Sequence, residues 1–174
     1  SGTRRKESLR SLIDKKMTDS GISFKIEATE KSGDYSLLRK RIEKEKITDI
    51  IICGGDGSVN QIVGALLDSP VNFGIIPMGS GNGLALGAGI PVNANRALDL
   101  VIRGRSFTID AFRVNGKFSC MLSGLGFDAQ VAHDFAERKK RGLISYIRET
   151  ISHYFTCKPF PFVIDTGKIG RAHV

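Results

Sequence analysis

Two short glycine-rich stretches hold the residues best suited to chemistry: Gly54-Gly55-Asp56-Gly57 and Gly79-Ser80-Gly81-Asn82-Gly83. Each follows directly on a short apolar run. A strand that enters consecutive glycines and then a helix lets the backbone approach an anion closely. Glycine accepts positive φ and adds no Cβ, and the helix start offers free N–H groups. Such a turn suits a phosphate, although one alone could serve merely as a tight connection. Two on successive parallel strands come to the same sheet edge, where open α/β sheets bind ligands. Asp56 adds a carboxylate that would repel bare phosphate, so a cation should lie between them. Magnesium, held through water, would bridge Asp56 to the β- and γ-phosphates. The other reading is that Asp56 caps the following helix or closes an Asx turn.

Other phosphate and nucleophile motifs are excluded by inspection. No GxxxxGK[ST] occurs, Leu84 stands where the third glycine of a dinucleotide fingerprint belongs, and no acid ends a strand about twenty residues on. Ser58, Ser80 and Ser123 all lack a G-x-S-x-G frame. Asp128, within Gly124-Leu125-Gly126-Phe127-Asp128-Ala129, is open to two readings, a helix cap or a carboxylate aimed at an acceptor hydroxyl.

The elements that must position these loops follow from periodicity. Leu9, Leu12, Ile13 and Met17 share one helical face over 4–20, with Gly21 as the stop. Ile22, Phe24, Ile26 and Ala28 alternate with polar residues, which predicts a strand with one buried face. A charged helix is expected over 34–46. The β-branched run 47–53 predicts a central parallel strand covered on both faces. Val59, Ile62, Val63, Leu66 and Leu67 then recur at helical spacing, Phe73–Ile76 begins another strand closed by Pro77, and 94–103 reads as a helix stopped by Gly104. Alternating helices and strands predict a parallel sheet flanked by helices, an α/β fold of three layers. From residue 106 the pattern changes: 106–114 and 117–122 flank Asn115-Gly116, a hairpin signal that predicts antiparallel structure.

At 174 residues the chain has room for one α/β domain and part of a second. The net charge of +8 is unevenly spread: residues 1–46 carry 13 basic and 8 acidic groups, 47–100 carry 1 and 4, and 101–174 carry 12 and 6. With three tyrosines and no tryptophan, base stacking lacks support, so nucleic acid is not an expected partner. Contact with anionic lipid headgroups is the more economical use of the positive charge, and Arg138-Lys139-Lys140-Arg141 reads either as such a patch or as a solvated helix end. No apolar run approaches the ~18 residues that span a bilayer, and no signal-peptide pattern opens the sequence, which gives a cytoplasmic expectation. Cys53, Cys120 and Cys157 form no CxxC pair, and His133, His153 and His173 are far from metal-ligand spacing, so reduced thiols and no zinc are expected.

Taken in order, Gly54-Gly55-Asp56-Gly57-Ser58-Val59-Asn60, Pro77-Met78-Gly79-Ser80-Gly81-Asn82, Ile90-Pro91 and Gly126-Phe127-Asp128-Ala129 resemble the diacylglycerol kinase catalytic domain superfamily. That superfamily includes bacterial lipid kinases, sphingosine kinases and ceramide kinases. GGDG is shared with NAD kinases, whereas its combination with PxGSGN is specific. The resemblance implies an NAD kinase/diacylglycerol kinase-like nucleotide-binding domain over 1–105. The start of a β-sandwich lipid-binding domain would follow over 106–167. It implies that the first loop and the helix after it, through Gly54, Gly55, Asp56, Gly57, Ser58 and Asn60, hold ATP phosphates. Gly79, Ser80, Gly81 and Asn82 would help bind the nucleotide. Asp56 would act through magnesium or as base. Thr29 looks like the threonine that ends the second strand near the nucleotide, and Ser1-Gly2 like the tail of the family's NPxSG element, whose preceding strand is absent. Asp128 looks like the acid that faces the acceptor or joins the metal network.

Two departures from the family pattern stand out: Gly83 occupies the place of an acid and Leu86 that of an arginine. The expected activity is transfer of the ATP γ-phosphate to a lipid hydroxyl, of diacylglycerol or sphingoid type, at a transient membrane-surface contact. The chain by itself is expected to bind nucleotide at most. The alternatives are an NAD kinase-like enzyme or a nucleotide-binding module without catalysis. Oligomeric state is open, a homodimer being compatible with the sequence. Residues 168–174 match a translation of common sequencing-adapter text and are expected to be non-native, an ordinary exposed tail being the alternative.

Overall fold

The structure, a computed structural model, describes residues 2–29, 32–124, 126, 129 and 163, and of 2–5 the backbone alone. Helix α1 spans Gly2–Asp19, α2 Ser36–Glu45, strand β1 Asp49–Gly54, α3 Asp56–Ala65, β2 Asn72–Pro77, α4 Gly83–Gly87, α5 Ala94–Ile102, β3 Phe112–Val114 and β4 Lys117–Ser119. The chain divides into two compact units, Ser1–Leu122 and Ser123–Val174, and all nine of these elements lie in the first.

Strands β1 and β2 run parallel, with Ile50 opposite Phe73, Ile52 opposite Ile75 and Cys53 opposite Ile76. Parallel strands need a long crossover, and α3 supplies it. Successive side chains leave a strand on opposite faces, so this register sorts the apolar residues into two cores. Ile50, Ile52, Phe73 and Ile75 pack with Ile42 of α2 and Val59, Ile62 and Leu66 on the α3 side. Ile51 and Ile76 pack with Ile13 and Met17 of α1 and Leu98 of α5. Helices therefore cover both faces, as the unbroken β-branched run of β1 requires. Ile42, Ile52, Leu66, Ile76 and Leu98 lose essentially all solvent contact, worth about 1.5–3 kcal/mol each before entropy is charged.

The predicted α/β architecture with a small antiparallel unit is what the structure shows. The hairpin β3–β4 turns at Asn115 (φ 49°) and Gly116 (φ 77°), both positive, as its tight two-residue turn demands. Its ladder is shorter than the runs predicted around it. A larger difference concerns the alternation after α1. That helix closes as foreseen, with Gly21 at φ 66° and Ile22 N donating to Met17 O at 2.9 Å. Residues 22–29, however, join no strand ladder among the described residues, and Ile22, Phe24 and Ile26 are each 38–39% exposed. Period two specifies which side of an extended segment is apolar; a strand also needs a neighbouring backbone to bond with. No helix among the described residues is long and apolar enough to cross a membrane.

Candidate functional site

The parallel register places the two glycine loops side by side. Pairing of Gly54 with Pro77 ends the strands together, and Met78 N continues the ladder by donating to Gly54 O at 2.9 Å. The loops then touch through bare backbone. A Cβ built on Gly79 would lie 2.6 Å from Gly55 Cα, and one on Gly55 would lie 2.9 Å from Gly79 Cα. Only glycine at both positions permits that approach. Gly54 makes room for Ser58, whose Oγ would be 3.0 Å from a Cβ there.

Asn82 holds the second loop from inside. It is buried and left-handed (φ 57°), a conformation asparagine tolerates better than most residues. Its Oδ1 accepts from Gly79 N at 2.8 Å and its Nδ2 donates to Gly79 O at 2.9 Å, closing the Gly79–Asn82 turn on itself. Asp56, half-buried at the first turn of α3, reaches across to the other loop. Its Oδ2 accepts from Gly83 N at 3.0 Å and its Oδ1 from Leu84 N at 3.2 Å. Asp56 thus makes a cap, but on α4; the alternative reading from the sequence, a cap on the helix that follows Asp56, is not what the structure shows. A carboxylate answers the free N–H groups that a helix start leaves unpaired.

The start of α3 is arranged differently. Its N-cap, Gly55, is extended (φ −99°, ψ −176°) and has no side chain to cap with, and among the described residues no side chain accepts from the first-turn N–H groups of Asp56, Gly57 and Ser58. This is the terminus suited to an anion; that of α4 already carries a carboxylate. Each Asp56 oxygen accepts one N–H and keeps a lone pair that can accept from a metal-bound water. No group of three His, Cys, Asp or Glu side chains that could hold a metal occurs among the described residues. The spare lone pairs of Asp56 suit it to meet a hydrated cation through water.

The remaining predicted residues distribute unevenly. Ser80 and Gly81 are exposed in the second loop, and a Cβ on Gly81 would lie 3.2 Å from Asp56 Oδ2. Gly2 begins α1. Thr29 is exposed and bonds to neither loop among the described residues. Ser1, Asp128, Cys157, the three histidines, the Arg138–Arg141 cluster and the 168–174 tail lie outside the described residues. Asn60 is turned to another partner: its Nδ2 donates to Phe118 O at 3.2 Å and its Oδ1 accepts from Cys120 N at 3.1 Å.

Sequence reasoning missed α4, the contact between Asp56 and it, and the hydrogen bond that joins Cys120 to Asn60. Cys120 is buried, and burial, with the Asp56 carboxylate adding to it, pushes its thiol above the ordinary range against the pull of a backbone hydrogen bond. A signal was present in α3. Asn60 and Gly64 lie four apart on one helical face, a polar group and a gap among apolar neighbours, and β4 packs there.

The profile of the Diacylglycerol kinase catalytic domain family matches residues 1–114. The chain is 31% identical over 140 residues to proteins named "Probable lipid kinase YegS-like" from Yersinia pestis (strain Pestoides F) and from Yersinia pseudotuberculosis serotype O:1b. Each alignment covers 76% of this chain and 47% of the relative, so the chain spans about half the length of the curated relatives it matches.

Proposed function

Because the chain belongs to the diacylglycerol kinase catalytic domain family, we propose that it forms the nucleotide-holding part of a lipid kinase that moves the ATP γ-phosphate to a lipid hydroxyl. One observation carries this reading. The two glycine loops meet in backbone contact at the end of parallel strands, beside a helix start with no side-chain cap. Relatives named as lipid kinases point to a lipid as acceptor in preference to a dinucleotide.

On this reading the N–H groups of Asp56, Gly57 and Ser58 receive phosphate oxygens, and the α3 dipole favours their charge. Magnesium, when bound, offsets charge that develops on the transferring phosphate. Asp56 would hold the ion through water, and the same carboxylate fixes the second loop by accepting from Gly83 and Leu84. Asn82 keeps Gly79 turned so that the loop backbone stays against Gly55. The chain's part in catalysis is thus positioning and charge placement. The acceptor would be a diacylglycerol or sphingoid-type alcohol taken at a membrane surface, and the family resemblance suggests Asp128 as the acid that serves it.

Two measurements test the proposal. A fluorescent ATP analogue should bind the 174-residue chain in a magnesium-dependent manner and be displaced by ATP. With labelled ATP and mixed micelles of diacylglycerol or sphingosine, the protein completed to its relatives' length should yield a phospholipid. Failure of the chain to bind ATP at millimolar concentration would remove the reading, and phosphorylation of a dinucleotide in place of lipid would redirect it.

A further inference from the structure

Asn60 lies in the second turn of α3, and its amide is committed to strand β4. Accepting from Cys120 N and donating to Phe118 O, it makes the two bonds that a neighbouring strand would offer to alternate residues. Cys120 Sγ also approaches the same Oδ1, at 3.6 Å. One turn further along α3, Gly64 leaves space for the Phe118 ring, since a Cβ there would lie 2.7 Å from Phe118 Cδ1. At the end of β4, Ser119 Oγ donates to Met121 O at 2.9 Å and accepts from Met121 N at 3.3 Å, which turns the chain immediately after the fastened residues. An asparagine amide offers two donors and two lone pairs. With these partners Asn60 retains a single N–H, little with which to hold a phosphate.

Building on the reading that the start of α3 receives ATP phosphates, we propose that Asn60 is a positioning residue for that site and not a nucleotide ligand. It fastens β4 to the helix that carries the phosphate-binding turn. Cys120, bonded to Asn60, is thereby held in place by the same helix. Anything that stiffens the first turn of α3 is felt at Cys120. The physical link is one helix turn long: Asp56 and Asn60 are four residues apart on the same side of α3.

Thiol alkylation of the 174-residue chain, with peptides quantified by mass spectrometry, reads the fastening directly. Cys120 is buried and Cys53 exposed, so Cys53 serves as internal standard. Asn60→Ala should raise the alkylation rate of Cys120 about tenfold, through local opening, and leave that of Cys53 unchanged. In the unaltered chain magnesium and ATP should slow Cys120 alkylation about threefold, as expected when binding suppresses local opening. In Asn60→Ala that protection should vanish while a fluorescent ATP analogue still binds. A structural role alone would leave the protection in place.

An unchanged Cys120 rate in Asn60→Ala overturns the proposal. So does a tenfold or greater loss of analogue affinity with Cys120 still slow, which would make Asn60 a direct ligand. Should Asn60→Ala not fold, hydrogen exchange of the Cys120 amide in the unaltered chain decides. Exchange slowed at rest and slowed further by nucleotide supports the link, and an unprotected amide refutes it. If no ATP analogue binds any form, the kinase reading fails and takes the coupling with it. The alkylation difference between the unaltered chain and Asn60→Ala still rules separately on the fastening.

Discussion

Asp56→Asn isolates the structural work of the carboxylate. Both of its oxygens accept backbone N–H groups, from Gly83 at 3.0 Å and Leu84 at 3.2 Å. An asparagine of the same shape has one acceptor oxygen and one NH2 group. Whichever way it turns, one N–H of α4 faces a donor. A hydrogen bond to a charged group contributes about 1.5–3 kcal/mol, and water can partly replace the lost partner because Asp56 is only half-buried, so a net loss of about 1–2 kcal/mol is expected. For a unit of this size one kcal/mol moves the melting temperature by roughly 4 °C, giving a fall of about 4–8 °C. The assay is thermal unfolding by circular dichroism without nucleotide or magnesium, so that no binding energy enters. Asp14→Asn, at an exposed position on α1, should shift the midpoint by less than about 1 °C. If the two variants melt together, Asp56 does not brace the second loop.

Gly79→Ala should cost about 1–3 kcal/mol and abolish binding of the ATP analogue, since its Cβ meets Gly55 backbone that has no flexible end to yield; chemical denaturation and fluorescence titration check the two halves. Asn82→Ala should lower stability by about 2–3 kcal/mol through two lost bonds and a strained left-handed residue, with Asn82→Gly losing less because the strain is gone, both read from urea midpoints. Burial raises the Cys120 thiol, so its alkylation should go on accelerating with pH after the same cysteine in the denatured chain has levelled off. The sign for stability follows: the neutral thiol's contribution is complete below the unfolded-state value and is lost as pH rises through the folded one, so Cys120→Ser should flatten the alkaline decline.

Local order in the sequence matched the structure wherever a residue's own neighbours decide it. The two glycine loops, the β-branched run of β1, the Gly21 stop and the Asn115-Gly116 turn were all readable because period, φ preference and side-chain volume act over a few positions. What escaped depends on residues distant in the chain. Asp56 looks like a cap for its own helix until the register of β1 with β2 brings Gly83 beside it. Asn60 looks like one more polar residue near a phosphate loop until a hairpin nearly sixty residues later takes up its amide. The alternation of Ile22, Phe24 and Ile26 was legible as a face, but a face carries no information about which backbone, if any, lies beside it.

The contact between Gly55 and Gly79 bears on how this family can vary. Every single-nucleotide missense change at a glycine codon introduces a Cβ, so at these two positions the genetic code offers no conservative neighbour. Relief cannot come from the facing residue either, because it is already the smallest one available. A deep mutational scan should therefore show two blank columns at 55 and 79 in a measure of fold alone. Gly57 and Gly87, where an added Cβ meets nothing within 4 Å, should fill with tolerated substitutions in the same measure. Four glycines that look alike in the sequence would then separate into two classes, divided by what stands opposite them.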